Sequence, residues 1–218
     1  MKNLKKKVLL AAIALSLVCI VSMGTLAWFS DKDEVTNKFM VTDSETDPDK
    51  IFSVELYETK VDEDGVPVTP YEKTKENVYD NIAPGDLLAK DPTVENTGLY
   101  DQWIRVKVTL TNANEWLNLL GVDYDLALMF GGHDETVWTR GEKTLNLDNT
   151  LTIEYYLNDK LVPGETETLF TTITIPTDFD QEDMAAIGGA FELKIVAEAL
   201  QYDNTGDNCK DAFANYWN

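Results

Sequence analysis

Histidine and cysteine are almost missing from this chain, and basic residues are scarce beside acidic ones. His133 is the sole histidine. A helical zinc peptidase holds its metal with two histidines four residues apart and activates water with a glutamate between them, so that site is excluded. A Ser-His-acid set is excluded too, because His133 sits in Gly131-Gly132-His133-Asp134-Glu135 and no nucleophile elbow accompanies it. The plain reading of His133 is an exposed loop residue; a metal site joining it to Asp and Glu ligands is the alternative. Lys and Arg number 18 against 39 Asp and Glu, for a formal net charge of −21. Such a surface repels nucleic acid and anionic lipid and keeps the chain soluble. No Gly-rich phosphate loop precedes a helix.

Long apolar runs are also missing, with one exception at the start. Lys2, Lys5, Lys6 and Lys7 form a basic cluster, an apolar run follows from Val8 to Val21, and Ser22, Gly24, Thr25 and Ala27 supply small residues. That is the three-part build of a secretory signal peptide, with Thr25 and Ala27 at the −3 and −1 positions and Trp28 opening the mature chain. A retained anchor is the alternative, since a span needs about 20 apolar residues and Val8–Phe29 reaches that length. The small-residue tail favours cleavage over residues 1–27, a secreted or cell-surface protein, and no stable membrane span after processing. Removing this segment removes Cys19 and leaves Cys209 as the only thiol. An exported domain with one Cys has no internal disulfide and draws its stability from a core. Cys209 reads as an incidental tail residue, with an intermolecular bridge as the alternative.

What is present is alternation. Trp103, Arg105, Lys107 and Thr109 face one way along Gln102–Leu110, and Ile104, Val106, Val108 and Leu110 the other. One face is apolar and one largely polar, as in an antiparallel sheet with a wet side. Ile51–Tyr57, Leu151–Leu157, Thr168–Ile175 and Ala190–Leu200 repeat the theme, while Asn114–Leu120, Gln181–Ala186 and Lys210–Tyr216 predict short helices. The expected fold is all-β: one antiparallel β-sandwich (jelly roll) over residues 28–218, with a few short helices and an irregular insertion around 115–149.

Ile82-Ala83-Pro84-Gly85-Asp86 and Leu161-Val162-Pro163-Gly164-Glu165 echo each other, each with Pro and Gly placed for a type II turn. Two independent turns explain the echo, and so does pairing of the following strands across a sandwich. The acidic stretches Asp43–Asp49 and Asp203–Asn208 lack the ligand spacing of a calcium loop, so they predict no bound cofactor or metal beyond weak calcium binding. No catalytic residue is expected.

The segment after the cleavage point, residues 28–41, is strand-prone and begins at a free amino terminus. It pairs either with its own sheet or with the sheet edge of another molecule, and the latter gives a head-to-tail polymer. Val35, Phe39 and Val41 share one face of such a donor strand.

Several blocks resemble the TasA/camelysin family. They are Gly24-Thr25-Leu26-Ala27-Trp28-Phe29-Ser30-Asp31, Asn81-Ile82-Ala83-Pro84-Gly85-Asp86, Val94-Glu95-Asn96-Thr97-Gly98, Ile104–Val108, Ile175–Gln181 and Val196–Gln201, in family order along most of the mature chain. The resemblance implies a jelly roll, release by a dedicated signal peptidase from a Gram-positive type of cell, and biofilm-matrix fibres. In those fibres the N-terminal strand of one subunit completes the sheet of the next, and accessory matrix proteins are candidate partners. It leaves two alternatives: a monomeric cell-surface binding module, and a camelysin-like cell-surface metalloendopeptidase. The shared blocks are strand and turn residues and carry over no catalytic position.

Overall fold

The alternation along Gln102–Leu110 builds the centre of the fold. A computed structural model of the chain describes residues 30–34, 52–62, 65–80, 82–121, 123–187 and 191–216. Its first elements are β1 (Ser30–Glu34), β2 (Val54–Thr59), β3 (Lys73–Thr74), β4 (Leu87–Ala89), β5 (Thr93–Asn96) and β6 (Gln102–Leu110). Helix α1 (Ala113–Leu120), a 3-10 turn at Leu126–Met129, β7 (Phe130–Gly131), β8 (Trp138–Leu145) and β9 (Leu151–Leu157) follow. Then come β10 (Thr166–Thr168), β11 (Thr172–Thr174), α2 (Gln181–Ala186), β12 (Leu193–Gln201) and α3 (Cys209–Tyr216).

The expected mostly β, antiparallel architecture with short helices is present. A five-stranded sheet runs β1-β12-β6-β9-β8, a four-stranded sheet β10-β5-β2-β3, and a three-stranded sheet β4-β11-β7. β6 is flanked on both sides, and its inward residues Ile104, Val106 and Val108 are almost wholly buried. One apolar cluster draws on all three sheets, with Leu56, Val94, Ile153, Ile173 and Ala197 among its members. Trp116 of α1 joins that cluster, fully buried, with Phe191 edge-on at 5.1 Å and Phe179 at 5.7 Å. Among the described residues no helix is long and apolar enough to cross a membrane; the leader and its cleavage residues lie outside them.

The echoed turns have a common structural origin. Asp86 N donates to Ala83 O at 3.1 Å and Glu165 N to Val162 O at 3.0 Å, while Gly85 and Gly164 take φ of +86° and +80°. These are type II turns, and the positive φ at the third position is what glycine supplies. Each turn feeds a strand that pairs with the partner of the other. β10 pairs with β5 (Thr166 opposite Glu95, Thr168 opposite Thr93), and β11 pairs with β4 (Thr172 opposite Ala89, Thr174 opposite Leu87). The register is the same in both ladders, and Lys90 N to Thr171 O (3.1 Å) and Leu169 N to Pro92 O (3.0 Å) carry it across the gap. The two segments therefore form one bent antiparallel ribbon that passes from the four-stranded to the three-stranded sheet, with an approximate twofold between its turns. Pairing across the fold explains the echo. The same bend, at Leu169–Thr171, divides the strand expected over Thr168–Ile175 into β10 and β11.

The stretch expected as an irregular insertion, 115–149, contributes to two sheets. It holds most of α1, the 3-10 turn, β7 against β11, and β8 against β9. β8 escapes alternation because it is an edge strand: only Trp138 is buried, and Thr139, Arg140 and Glu142–Leu145 are exposed.

Candidate functional site

The two outer strands of the five-stranded sheet are unlike. β1 lies antiparallel on β12, with Ser30 opposite Leu200, Lys32 opposite Glu198 and Glu34 opposite Val196. β12 is its single hydrogen-bonded neighbour, and β1 also lies against β2. β12 itself is fixed by a nine-residue ladder to β6, from Leu193 opposite Leu110 to Gln201 opposite Gln102. At the far edge, β8 carries Arg140, Glu142 and Lys143, and its register to β9 shifts between Arg140 and Lys143. Gly141 sits in that irregularity against the Tyr156 ring, where a Cβ would come within 2.4 Å of a ring carbon. Charges and a bulge are how natural sheets prevent unwanted edge pairing. Charges and a bulge thus guard the β8 edge, while the opposite edge ends in β1, which carries Asp31, Lys32, Asp33 and Glu34.

Of the donor segment 28–41, Ser30–Glu34 is described, and it pairs with the chain's own β12. The cleavage residues Thr25, Ala27 and Trp28 lie outside the described residues, as do Val35, Phe39 and Val41 of the proposed donor face.

The outward face of this sheet is not wet along its whole length. Helix α3 covers the end formed by Trp103, Tyr156 and Leu200, and Phe213 and Cys209 of α3 complete that small cluster. Beneath it lies a charged network. Arg105 donates from Nε to Glu198 Oε2 at 2.7 Å and stacks on the Phe213 ring at 4.5 Å. Lys107 Nζ lies 3.4 Å from Glu198 Oε2, and Tyr156 donates its hydroxyl proton to Glu154 Oε2 at 2.5 Å. Burial, then the bond to Glu154, pushes the Tyr156 phenol up to about 12. Opposite charges satisfied by one another in this way fix the seat of α3.

His133 is half-buried rather than freely exposed. Its Nδ1 lies 3.0 Å from Leu169 O, and its ring stands edge-on to Tyr155 at 5.1 Å. Among the described residues no three His, Cys, Asp or Glu side chains converge as metal ligands. The acidic loop before α3 serves as a helix cap: Asn208 Oδ1 accepts from Asp211 N at 3.0 Å, and Thr205 Oγ1 donates to Gln201 O at 2.6 Å. The other acidic stretch, Asp43–Asp49, lies outside the described residues. Cys209 is buried and donates its thiol hydrogen to Ile104 O at 3.1 Å. Desolvation holds that thiol far above its ordinary pKa. Burial and suppressed ionisation are the setting of a packing cysteine in the folded chain.

Four buried polar side chains, Asn96, Glu58, Lys90 and Glu198, make tertiary contacts that the strand pattern does not predict. Asn96 ties the ribbon together, donating to Leu161 O (2.7 Å) and Tyr100 O (2.9 Å) and accepting from Gly98 N and Gln102 Nε2 (both 2.9 Å). Glu58 shares the inward phase of Val54 and Leu56 on β2, a position where a lone carboxylate is costly, and this phase was the available signal. Its buried partner is Lys90, whose Nζ donates to Glu58 Oε1 at 2.6 Å. Glu198 is the one charged residue of the buried run Ala197–Leu200, and that charge among small and apolar residues marks it in the same way.

Comparison of the chain with known families, with curated proteins and with solved structures finds no match. The family resemblance rests on the sequence blocks alone.

Proposed function

We propose that this chain is a secreted structural subunit of extracellular-matrix or biofilm fibres that lends its N-terminal strand to the next copy. The observation that carries the reading is the position of β1. The first described residues form an edge strand whose hydrogen-bonded neighbour is β12 alone, at the opposite edge of the larger sheet from the bulged β8. Every pair that β1 makes with its own β12 is available, residue for residue, from the β1 of another copy. Exchange of an identical element is a low-cost route to association. Because donor and acceptor are different surfaces, the contact is heterologous; where the rotation does not close, it propagates as a filament. Backbone pairing supplies affinity and alternate side chains supply register.

The finer elements of the reading follow from the family resemblance: a jelly-roll topology, cleavage after Ala27 by a signal peptidase, and accessory matrix proteins as partners. In this reading the acidic surface keeps subunits apart until strands exchange. A second reading, a monomeric surface-binding module, has one observation in its favour, the pairing of β1 with its own chain. The metalloendopeptidase alternative has no comparable support, since it rests on one histidine engaged with Leu169 and Tyr155.

Electron microscopy and sedimentation of the purified mature protein, beside a chain lacking residues 28–41, separate the two readings. Fibres from the mature protein and folded, non-polymerising truncated protein are expected. If truncation unfolds the domain while the mature protein stays monomeric, the strand belongs to its own sheet and the binding module is the better account. Identical fibres from the truncated chain would exclude the strand as the connector.

A further inference from the structure

A cleft of about 940 Å³ opens between β4 and β11 on one side and α2 with the start of β12 on the other. Its volume falls within the roughly 300–1,000 Å³ range of small-molecule sites, which are apolar with a few placed polar groups. Ile82, Leu88, Ile173 and Phe191 supply apolar wall, and the Glu58–Lys90 pair lies in its lining. Lys90 is only 8% exposed, yet it lines the cleft. Its ammonium carries three N–H donors, and Glu58 is its one hydrogen-bond partner among the described residues. Two donors of this largely buried ammonium have no acceptor among the described residues, beside an apolar wall. A buried donor without a partner is unfavourable, so an acceptor delivered by a ligand recovers that loss.

The electrostatics select the acceptor. Glu58 already neutralises the ammonium at 2.6 Å, and the rest of the charged lining is mixed, with Glu76, Asp80 and Glu192 beside Lys75 and Lys194. A carboxylate, phosphate or sulfonate would meet these acids in a chain of net charge −21. A cation would meet Lys90 itself. A neutral carbonyl oxygen meets neither penalty, because it accepts from an N–H without bringing a charge. We propose that this cleft binds an uncharged, largely apolar small molecule through a ketone, ester or amide carbonyl placed on Lys90 Nζ, with its hydrocarbon part against Leu88, Ile173 and Phe191. The site is independent of strand exchange at β12.

The test is fluorescence titration of the mature protein with 6-propionyl-2-dimethylaminonaphthalene, a neutral apolar ketone whose emission moves to the blue in an apolar site. Saturable one-site binding with a blue shift is expected. Lys90→Met should weaken it tenfold or more, while Lys90→Gln, which keeps an N–H donor, should weaken it less. Ala185→Trp, on the exposed side of α2 at the cleft, should abolish binding while leaving the Glu58–Lys90 pair intact, so the test survives if the Lys90 variants fail to fold. Circular dichroism checks folding in each case. Absence of saturable binding, or binding indifferent to Ala185→Trp, overturns the proposal. Tighter binding of an anionic naphthalene sulfonate at the Ala185→Trp-sensitive site overturns the neutral-carbonyl assignment.

Discussion

Arg105 on β6 and Glu198 on β12 stand directly opposite one another in the five-stranded sheet, and their side chains meet beneath Phe213 with the Glu198 carboxylate fully buried. Removing one partner leaves Glu198 with Lys107 at 3.4 Å, or Arg105 with Glu154 at 3.7 Å, and a fully broken buried pair costs about 3–5 kcal/mol. Arg105→Ala and Glu198→Ala are each expected to lower stability by up to that order, with much less than the sum of both in the double variant. Urea unfolding of the two single variants and the double variant gives the coupling directly. Additive losses would mean that the pair does not act as a unit.

The exposed edge has a weaker pair with a defined pH dependence. Arg140 donates two hydrogen bonds to the Asp125 carboxylate, at 2.5 and 2.6 Å, and this holds the Asp125 pKa below its ordinary value. A depressed carboxylate pKa stabilises the folded state above the unfolded value, about 3.9, and the stabilisation is lost as pH falls through the folded value. Because both side chains are about a third exposed, water and salt screen them, and the contribution is about 0.2–1 kcal/mol. The stability difference between wild type and Asp125→Asn should be constant from pH 7 to about pH 5 and vanish as the pH falls below about 4. A difference that grows on acidification would reverse the sign assigned to this pair.

Cys209 should not react with a thiol reagent while the chain is folded, because its thiol is buried and its ionisation suppressed by desolvation. In denaturant it should react fully and fast. Rapid labelling under native conditions, or a covalent dimer lost in Cys209→Ser, would restore the intermolecular bridge.

Much of this architecture was legible in the residues. Gln102–Leu110 and Leu151–Leu157 were bounded correctly, since both are interior strands whose inward faces are uniformly apolar. Short helices were expected at Gln181–Ala186, 114–120 and 210–216, and helices occupy these places, the first with an Asp180–Asp183 capping box. The rest depended on long-range partners. β8 gave no period because both its faces meet solvent, and the break between β10 and β11 is imposed by the ribbon's path across two sheets. The polar face of β6 was read as wet throughout, but α3 returns over Arg105 and Trp103 from about a hundred residues away in sequence. Period-2 patterning cannot register a cover contributed by so distant a segment. The cleft was equally invisible, since Glu58 and Lys90 are 32 residues apart.

His133 offers a compact test of the hydrolytic alternative. Purified mature protein should show no chelator-sensitive cleavage of casein, and His133→Ala should change stability by about 1 kcal/mol or less, the scale of one hydrogen bond. Stoichiometric zinc together with turnover abolished in His133→Ala would replace the structural reading by a catalytic one.

The central claim is that β1 moves from its own β12 to the β12 of the next copy, and Glu34 with Val196 provides the measurement, because the two are register partners. Chains carrying Glu34→Cys are mixed with chains carrying Val196→Cys under fibre-forming conditions, oxidised, and resolved on a non-reducing gel. The account predicts a disulfide-linked pair of unlike chains that appears with the fibres. It also predicts that a single chain carrying both substitutions, oxidised as a monomer, no longer polymerises. Fibres that grow without the cross-chain disulfide, or that grow unimpeded from the locked monomer, would contradict it.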